Sequence, residues 1–417
     1  MRRISVSLAP KTVRSIRLFG LLVAQLCAYS MLSALCFACP LYLFDCSGSS
    51  TLYGAVAAIA FVPGVLATPA GGILADRGRH RGVLVVLGIV LMAASLLFIP
   101  MKRSLPLAVV VAAMLCVQYG IQSLLKPMLQ IETVRMTGPE KVERATALVS
   151  QITMASNILG PVVGTAVYGC FGIDALCETA ALTFAMSALL FGGALKQNAS
   201  SGMTGDSTTC STCRSDFRES IRYLFQNASL LVVFLLAAIL NLALVGLTIG
   251  APVIVAKHLG MQSSFVGIIE VAMGLGGLVG SGLVGIWPHR FSFKGICRYV
   301  AMICFGVVPI IVTLLSGPDE LAFAALAAGS AWVMAWASIT SVEIVSFVQR
   351  SAPKELCGKV LALVYMTLSC ATPIGQLVYG LAYDRWTPAI VFAGMLAVLT
   401  LTTALFYRLK SRLWRLS

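Results

Sequence analysis

Charge is what this 417-residue sequence has least of. Asp, Glu, Lys and Arg together make up 11% of it, under half of the roughly 25% that a soluble domain carries to keep its surface wetted. That shortage excludes a water-soluble fold. Histidine is almost missing: the three present, His80, His258 and His289, all fall in stretches read as loops. With no clustered nucleophile and base, a membrane-embedded enzyme is not expected. No Walker motif occurs, so ATP is not the direct source of work. Cys210 and Cys213 form a lone C-x-x-C without a second pair or a nearby histidine, and neither a metal nor a cofactor is expected from it. The 13 cysteines are odd in number and mostly sit inside apolar runs, as do Cys27, Cys36, Cys116, Cys304 and Cys370, where a thiol acts as a small packing group. Long polar segments are lacking too, so a sensor or scaffold with an added soluble domain has nowhere to place one.

What is present is hydrophobic residue, 59% of the chain. About 20 apolar residues cross a bilayer once. Apolar stretches fall at 18–44, 52–75, 82–100, 105–131, 146–170 and 174–195, then at 229–256, 264–286, 295–316, 320–349, 356–383 and 387–408. The pattern is six spans, a gap, and six more. The first follows a basic segment (Arg2, Arg3, Lys11, Arg14, Arg17) but is too long for the apolar core of a signal peptide, and it is read as an uncleaved first helix. Dealing the connecting segments alternately to two sides puts 26 Lys+Arg with the N-terminus and four (Lys102, Arg103, Lys257, Arg385) opposite. By the positive-inside rule both termini are cytoplasmic. The net charge of +14 is therefore a matter of topology, and no nucleic-acid partner is expected.

The two sets of six are copies. A shift of 213 lays Gly72-Ile73 on Gly285-Ile286, Arg77 on Arg290, Arg81 on Lys294 and Gly82 on Gly295. The shift drifts to 215 at Ala147-Leu148-Val149 against Ala362-Leu363-Val364, and to 211 at Val167-Tyr168-Gly169 against Val378-Tyr379-Gly380. The expected organisation is an N-terminal six-helix bundle over 1–195, a polar cytoplasmic loop over 196–228 with a short amphipathic piece from Arg218 to Phe225, and a C-terminal six-helix bundle over 229–417. Two parallel half-repeats place a substrate site near the membrane midplane, with access alternating between sides.

Between the second and third spans the chain reads Gly71-Gly72-Ile73-Leu74-Ala75-Asp76-Arg77-Gly78-Arg79-His80-Arg81-Gly82. This resembles the G-x-L-a-D-r-x-G-r-r/k signature of the major facilitator superfamily, at the loop where that family keeps it. The resemblance extends over span number, repeat and central loop. It implies an all-α integral membrane protein with the major facilitator fold, twelve transmembrane helices in two six-helix pseudo-repeats. It also implies a conformational latch built from Gly72, Asp76, Arg77, Gly78 and Arg79, in which Asp76 meets the helix start at Pro353-Lys354-Glu355 in the outward-facing state. In the second half His289 stands where Asp76 stands in the first. The fifth span carries Ser156, Gly160-Pro161 and Gly164-Thr165, similar to the family's exporter-associated motif g-x-x-x-G-P-x-x-G-G, with Ser156 and Thr165 replacing two glycines. Proline with small residues kinks a helix and lets a neighbour come close. The run Pro353 to Val360 and Pro373-Ile374-Gly375-Gln376 look like the branch containing macrolide-efflux and enterobactin-export proteins, which implies a bacterial cytoplasmic membrane.

Ionisable groups at bilayer depth are functional candidates because insertion costs roughly 2.5 to 3.5 kcal/mol each. Three carboxylates are candidates for coupling: Glu270 inside the eighth span, Glu343 in the tenth, and Asp45 at the outer end of the first. The alternative for Glu270 is a structural hydrogen bond, and for Asp45 and Glu343 a position near interfacial water. On the fourth span Gln118, Gln122, Lys126 and Gln130 lie at i, i+4, i+8 and i+12, one helical face. Gln25 and Tyr29, with Ser33, mark a similar stripe on the first span, and Asn241 is a lone amide in the seventh. Trp332 and Trp336, at i and i+4 on the tenth, suit either a bulky amphipathic ligand or packing between helices. The expectation is a monomeric secondary exporter of an amphipathic small molecule, driven by proton antiport; an importer, or a lysolipid or nutrient transporter of the same fold, is the alternative.

Overall fold

The computed structural model describes residues 11–76, 80–137, 142–194, 228–262, 264–351 and 357–413. Among these there is no strand. Apolar side chains all round a helix mark a membrane span, where every backbone group must be bonded within its own segment. The helices are α1 (Lys11–Ser47), α2 (Ser50–Asp76), α3 (His80–Ser104) and α4 (Leu107–Thr137), then a long stretch Val142–Ala194 broken at Gly172. Gly172 has φ 83° and ψ 176°, a conformation open essentially to glycine alone, so the stretch is two helices, α5 (142–171) and α6 (173–194). Next come α7 (Ala228–Pro252), which ends in a π-helical turn Val253–His258, α8 (Ser264–Ile286), α9 (Ile296–Ser316), α10 (Asp319–Ser351), α11 (Cys357–Arg385) and α12 (Pro388–Leu413). Ten helical stretches among the described residues are long and apolar enough to cross a membrane, the broken 151–193 stretch counting once. Its break makes eleven, and the 29-residue α11 makes twelve.

The chain divides by its own contacts into two compact units. One holds α1 up to Pro40 and everything from Ala60 through α6; the other holds Leu41–Ile59 and α7 through α12. Within the first unit α1 meets α5 where Gly160 lies against Ser33, α2 meets α4 where Gly64 lies against Tyr119 and Ser123, and α3 meets α6 where Gly88 lies against Ala188. Within the second, α7 meets α11 where Gly375 lies against Val245, α8 meets α10 where Gly276 and Gly280 lie against Ala331 and Ala335, and α9 packs on α12. The same three pairings recur six helices apart. The internal repeat of the sequence is thus a repeat of packing.

The remaining faces are apolar and open. Leu66, Leu189 and Leu401 are each at least 70% exposed, which water would not tolerate in such number and which lipid solvates. This is a multi-pass membrane protein.

Candidate functional site

In the first unit the polar stripes of α1 and α4 are mostly buried. Gln25 and Gln118 are both 0% exposed and Tyr29 is buried beside them in sequence. The Cys36 thiol donates to Gln118 Oε1 at 3.2 Å, and Cys36 lies three helical turns along α1 from Gln25, on the same face. That contact brings the polar face of α1 to the polar face of α4. Both amide atoms of Gln25, the Tyr29 hydroxyl and Gln118 Nε2 have no hydrogen-bond partner among the described residues. A buried polar atom left so costs about 1–3 kcal/mol. Further along the α4 stripe Gln122 is partly buried and Lys126 is exposed.

The small residues of α5 form the ridge that α1 rides on. Ser156 Oγ donates to Leu26 O at 3.4 Å and accepts from Ser30 Oγ at 3.3 Å. A methyl added to Gly160 would run into Ser33, and one on Gly164 would stand 2.8 Å from Ala34 O. Pro161 lies inside the helix between these glycines. Thr165 Oγ1 donates back to Pro161 O at 2.6 Å, bonding the carbonyl of its own turn rather than reaching α1. The exporter-like motif is therefore a surface of close helix approach.

In the second unit Glu270 sits on α8 about two turns in from its outer end, partly buried. Tyr53, buried near the start of α2, is close enough to interact electrostatically with its carboxyl. Asn241 is partly buried on α7. The two tryptophans join α10 to α9. Trp332 donates its indole N–H to Met302 O at 2.8 Å, its ring lies 6.3 Å from Phe305, and Trp336 stacks on Tyr299 at 5.9 Å. Of the two readings left open for this pair, interhelical packing has the contacts.

The other carboxylates separate. Asp45 is exposed at the carboxyl end of α1. Glu343 is only 4% exposed, and Glu132 on α4 is buried likewise. Gly72 and Asp76 fall in α2 with side chains outside the described residues, and Arg77, Gly78 and Arg79 lie outside them altogether, as do Pro353-Lys354-Glu355, Cys210 and Cys213. His289 is exposed.

Lys257, which the sequence shows only as one of four bases opposite the N-terminus, takes a structural place: it forms an ion pair with Asp384 at 3.6 Å. The available signal was scarcity, since a side with four bases leaves few charges to be idle.

A model of the Major Facilitator Superfamily matches residues 21–375. Macrolide efflux protein A of Streptococcus pyogenes is 20% identical over 346 residues, covering 82% of this chain and 84% of that protein. Among solved structures, a bacterial homologue of the iron transporter ferroportin in an inward-facing state superposes with a TM-score of 0.73 at 15% identity, over 96% of this chain and 99% of that one. A bacterial homologue of the human lysosomal transporter Spinster gives 0.72 at 13% identity, over 97% and 98%. A peptide transporter crystallised with sulfate gives 0.68 at 15%, over 96% and 95%. With twelve spans, a six-and-six repeat and a family match over most of its length, this chain belongs to the major facilitator superfamily and is a membrane transporter rather than an enzyme.

Proposed function

We propose that the protein is a proton-coupled exporter of an amphipathic small molecule, working by alternating access. The observation that carries this reading is Glu270, a carboxylate on a membrane-spanning helix, partly buried and within electrostatic reach of the buried Tyr53. A protonatable group at that depth couples a proton to a conformational change, because the charged and neutral forms favour different surroundings. Moving one charge through 100 mV is worth roughly 2.3 kcal/mol, enough to bias such a change.

Export is favoured over import by the small-residue ridge Ser156, Gly160, Pro161 and Gly164, and by the similarity to a macrolide efflux protein. Gln25, Tyr29 and Gln118 are assigned to the substrate, with Gln122 and Lys126 further along the α4 stripe and Asn241 on the second unit. A ligand offering both donors and acceptors satisfies the unpartnered amides and hydroxyl. Asp76 and its arginines are assigned the role of inner latch, and the organisation is read as a monomer in a bacterial cytoplasmic membrane with both termini inside. The test is retention of a fluorescent macrolide or cationic dye in cells with and without the protein. Energised cells that carry it should hold less dye, and a protonophore should erase the difference; accumulation of dye would establish import instead.

A further inference from the structure

The connection between α1 and α2 carries contacts that the transport reading does not use. Leu41–Ile59 belongs to the second unit, whereas the rest of both helices belongs to the first. The helices run unbroken across both boundaries. Pro40 stands at one boundary, inside α1, where its missing N–H removes a backbone hydrogen bond and eases bending.

This tip is held by a polar grip and a backbone crossing. Gly48, at φ 64°, turns the chain, and Ser49 Oγ accepts from Leu52 N at 3.2 Å, capping α2. Asp384, at the end of α11, accepts from Ser50 N at 2.8 Å, Thr51 N at 2.7 Å and Ser49 Oγ at 3.0 Å. Its negative charge thus sits on the positive end of the α2 dipole. Lys257 lies 3.6 Å from Asp384 and donates to Gly48 O at 3.4 Å. Lys257 is itself carried by the π-helical turn Val253–His258, a widened turn of the sort that collects at functional places. About one turn deeper α2 and α11 touch backbone to backbone. A methyl on Gly54 would run into the Gln376 carbonyl, and one on Gly380 would stand 2.7 Å from Ser50 O and 3.2 Å from Gly54 Cα.

We propose that these groups form a releasable clasp. Asp384, seated on the amino end of α2 with Lys257 as counter-charge, docks the α1–α2 tip on the second unit, and movement of the first unit in the transport cycle undoes it. Two observations favour release over a permanent joint. The grip is polar and near water, with the Lys257 side chain 50% exposed, so water can replace each bond as it breaks. The crossing is made by glycines, which present no interlocking side chains and let two helices part and reseat. The clasp rests on the transport reading only in needing the units to move.

Hydrogen exchange of the full-length protein in lipid nanodiscs tests this with no substrate. In a background where the exposed Cys46 and Cys170 are replaced by serine, Thr51→Cys and Asp384→Cys are combined and joined by oxidation or a short thiol-bridging reagent. If the tip releases, bridging slows exchange of the tip and of the outer end of α11 by about tenfold relative to the reduced form; equal rates overturn the proposal. Asp384→Asn should speed exchange at the start of α2 by about tenfold, and Lys257→Gln by less, with α3 to α6 unchanged. Unchanged exchange in the Asp384 variant, or a loss of protection spread over the whole chain in both variants, also overturns it. Dye export that fails while exchange behaves as described removes the exporter reading and leaves the clasp; the converse removes the clasp alone.

Discussion

Two carboxylates set at different depths are assigned opposite duties by the proposals above. If Glu270 on α8 is the coupling group, Glu270→Gln, which fixes the neutral form, should abolish energised dye efflux while leaving expression and dye binding largely intact. Efflux at the normal rate across a pH gradient would take Glu270 out of the mechanism. Asp384 lies beyond the outer end of the eleventh span. Its partial burial alone would raise its pKa, but hydrogen bonds from Thr51, Ser50 and Ser49 outweigh that and hold it well below the usual carboxylate range. A carboxylate lowered in this way stabilises the folded contact at every pH above its unfolded value near 3.9, and that contribution fades only as pH falls through the lower folded value. The charged groups that meet at this contact are Asp384 and Lys257. Exchange protection at the first amides of α2, corrected for intrinsic rates, should therefore be the same at pH 5 and pH 8. Loosening between those values would mean that another group titrates there.

Helices were readable in the sequence because each needs about 20 apolar residues and leaves a polar gap behind it. The repeat was readable because Gly72, Arg77 and Gly82 recur at one offset. What stayed hidden is pairwise: no periodicity reveals that Cys36 meets Gln118, that Trp332 bonds Met302, or that Asp384 caps a helix more than three hundred residues earlier. The fifth span shows the middle case, where proline and small residues marked a close approach without naming the partner. That partner is α1 at Ser33 and Ala34. Gly160→Leu should then destabilise the protein by about 1–3 kcal/mol through overpacking, read as earlier thermal unfolding in detergent. Gly20→Leu, where an added Cβ meets nothing within 4 Å, should be close to neutral. Equal effects at the two positions would show that the ridge is not a tight crossing.

For the whole molecule the open matter is orientation, which charge assigns and native thiols can test. Cys46 at the α1–α2 tip and Cys170 just before Gly172 are both exposed. A membrane-impermeant maleimide should label both in intact cells, while labelling that appears only after permeabilisation would invert the topology. The same end of the molecule shows a second regularity. Where α1 meets α2, α3 meets α4, α5 meets α6, α9 meets α10 and α11 meets α12, no more than two residues separate one helix from the next, and between α7 and α8 there are five. Turns so short leave an external protease no extended backbone to bind and an antibody almost no loop to grip. An inserted epitope would be forced into a helix end there, so a reporter sequence is better carried by the 196–228 segment, and with this end outside, as the charge assigns it, a cell bearing this transporter would expose very little of it.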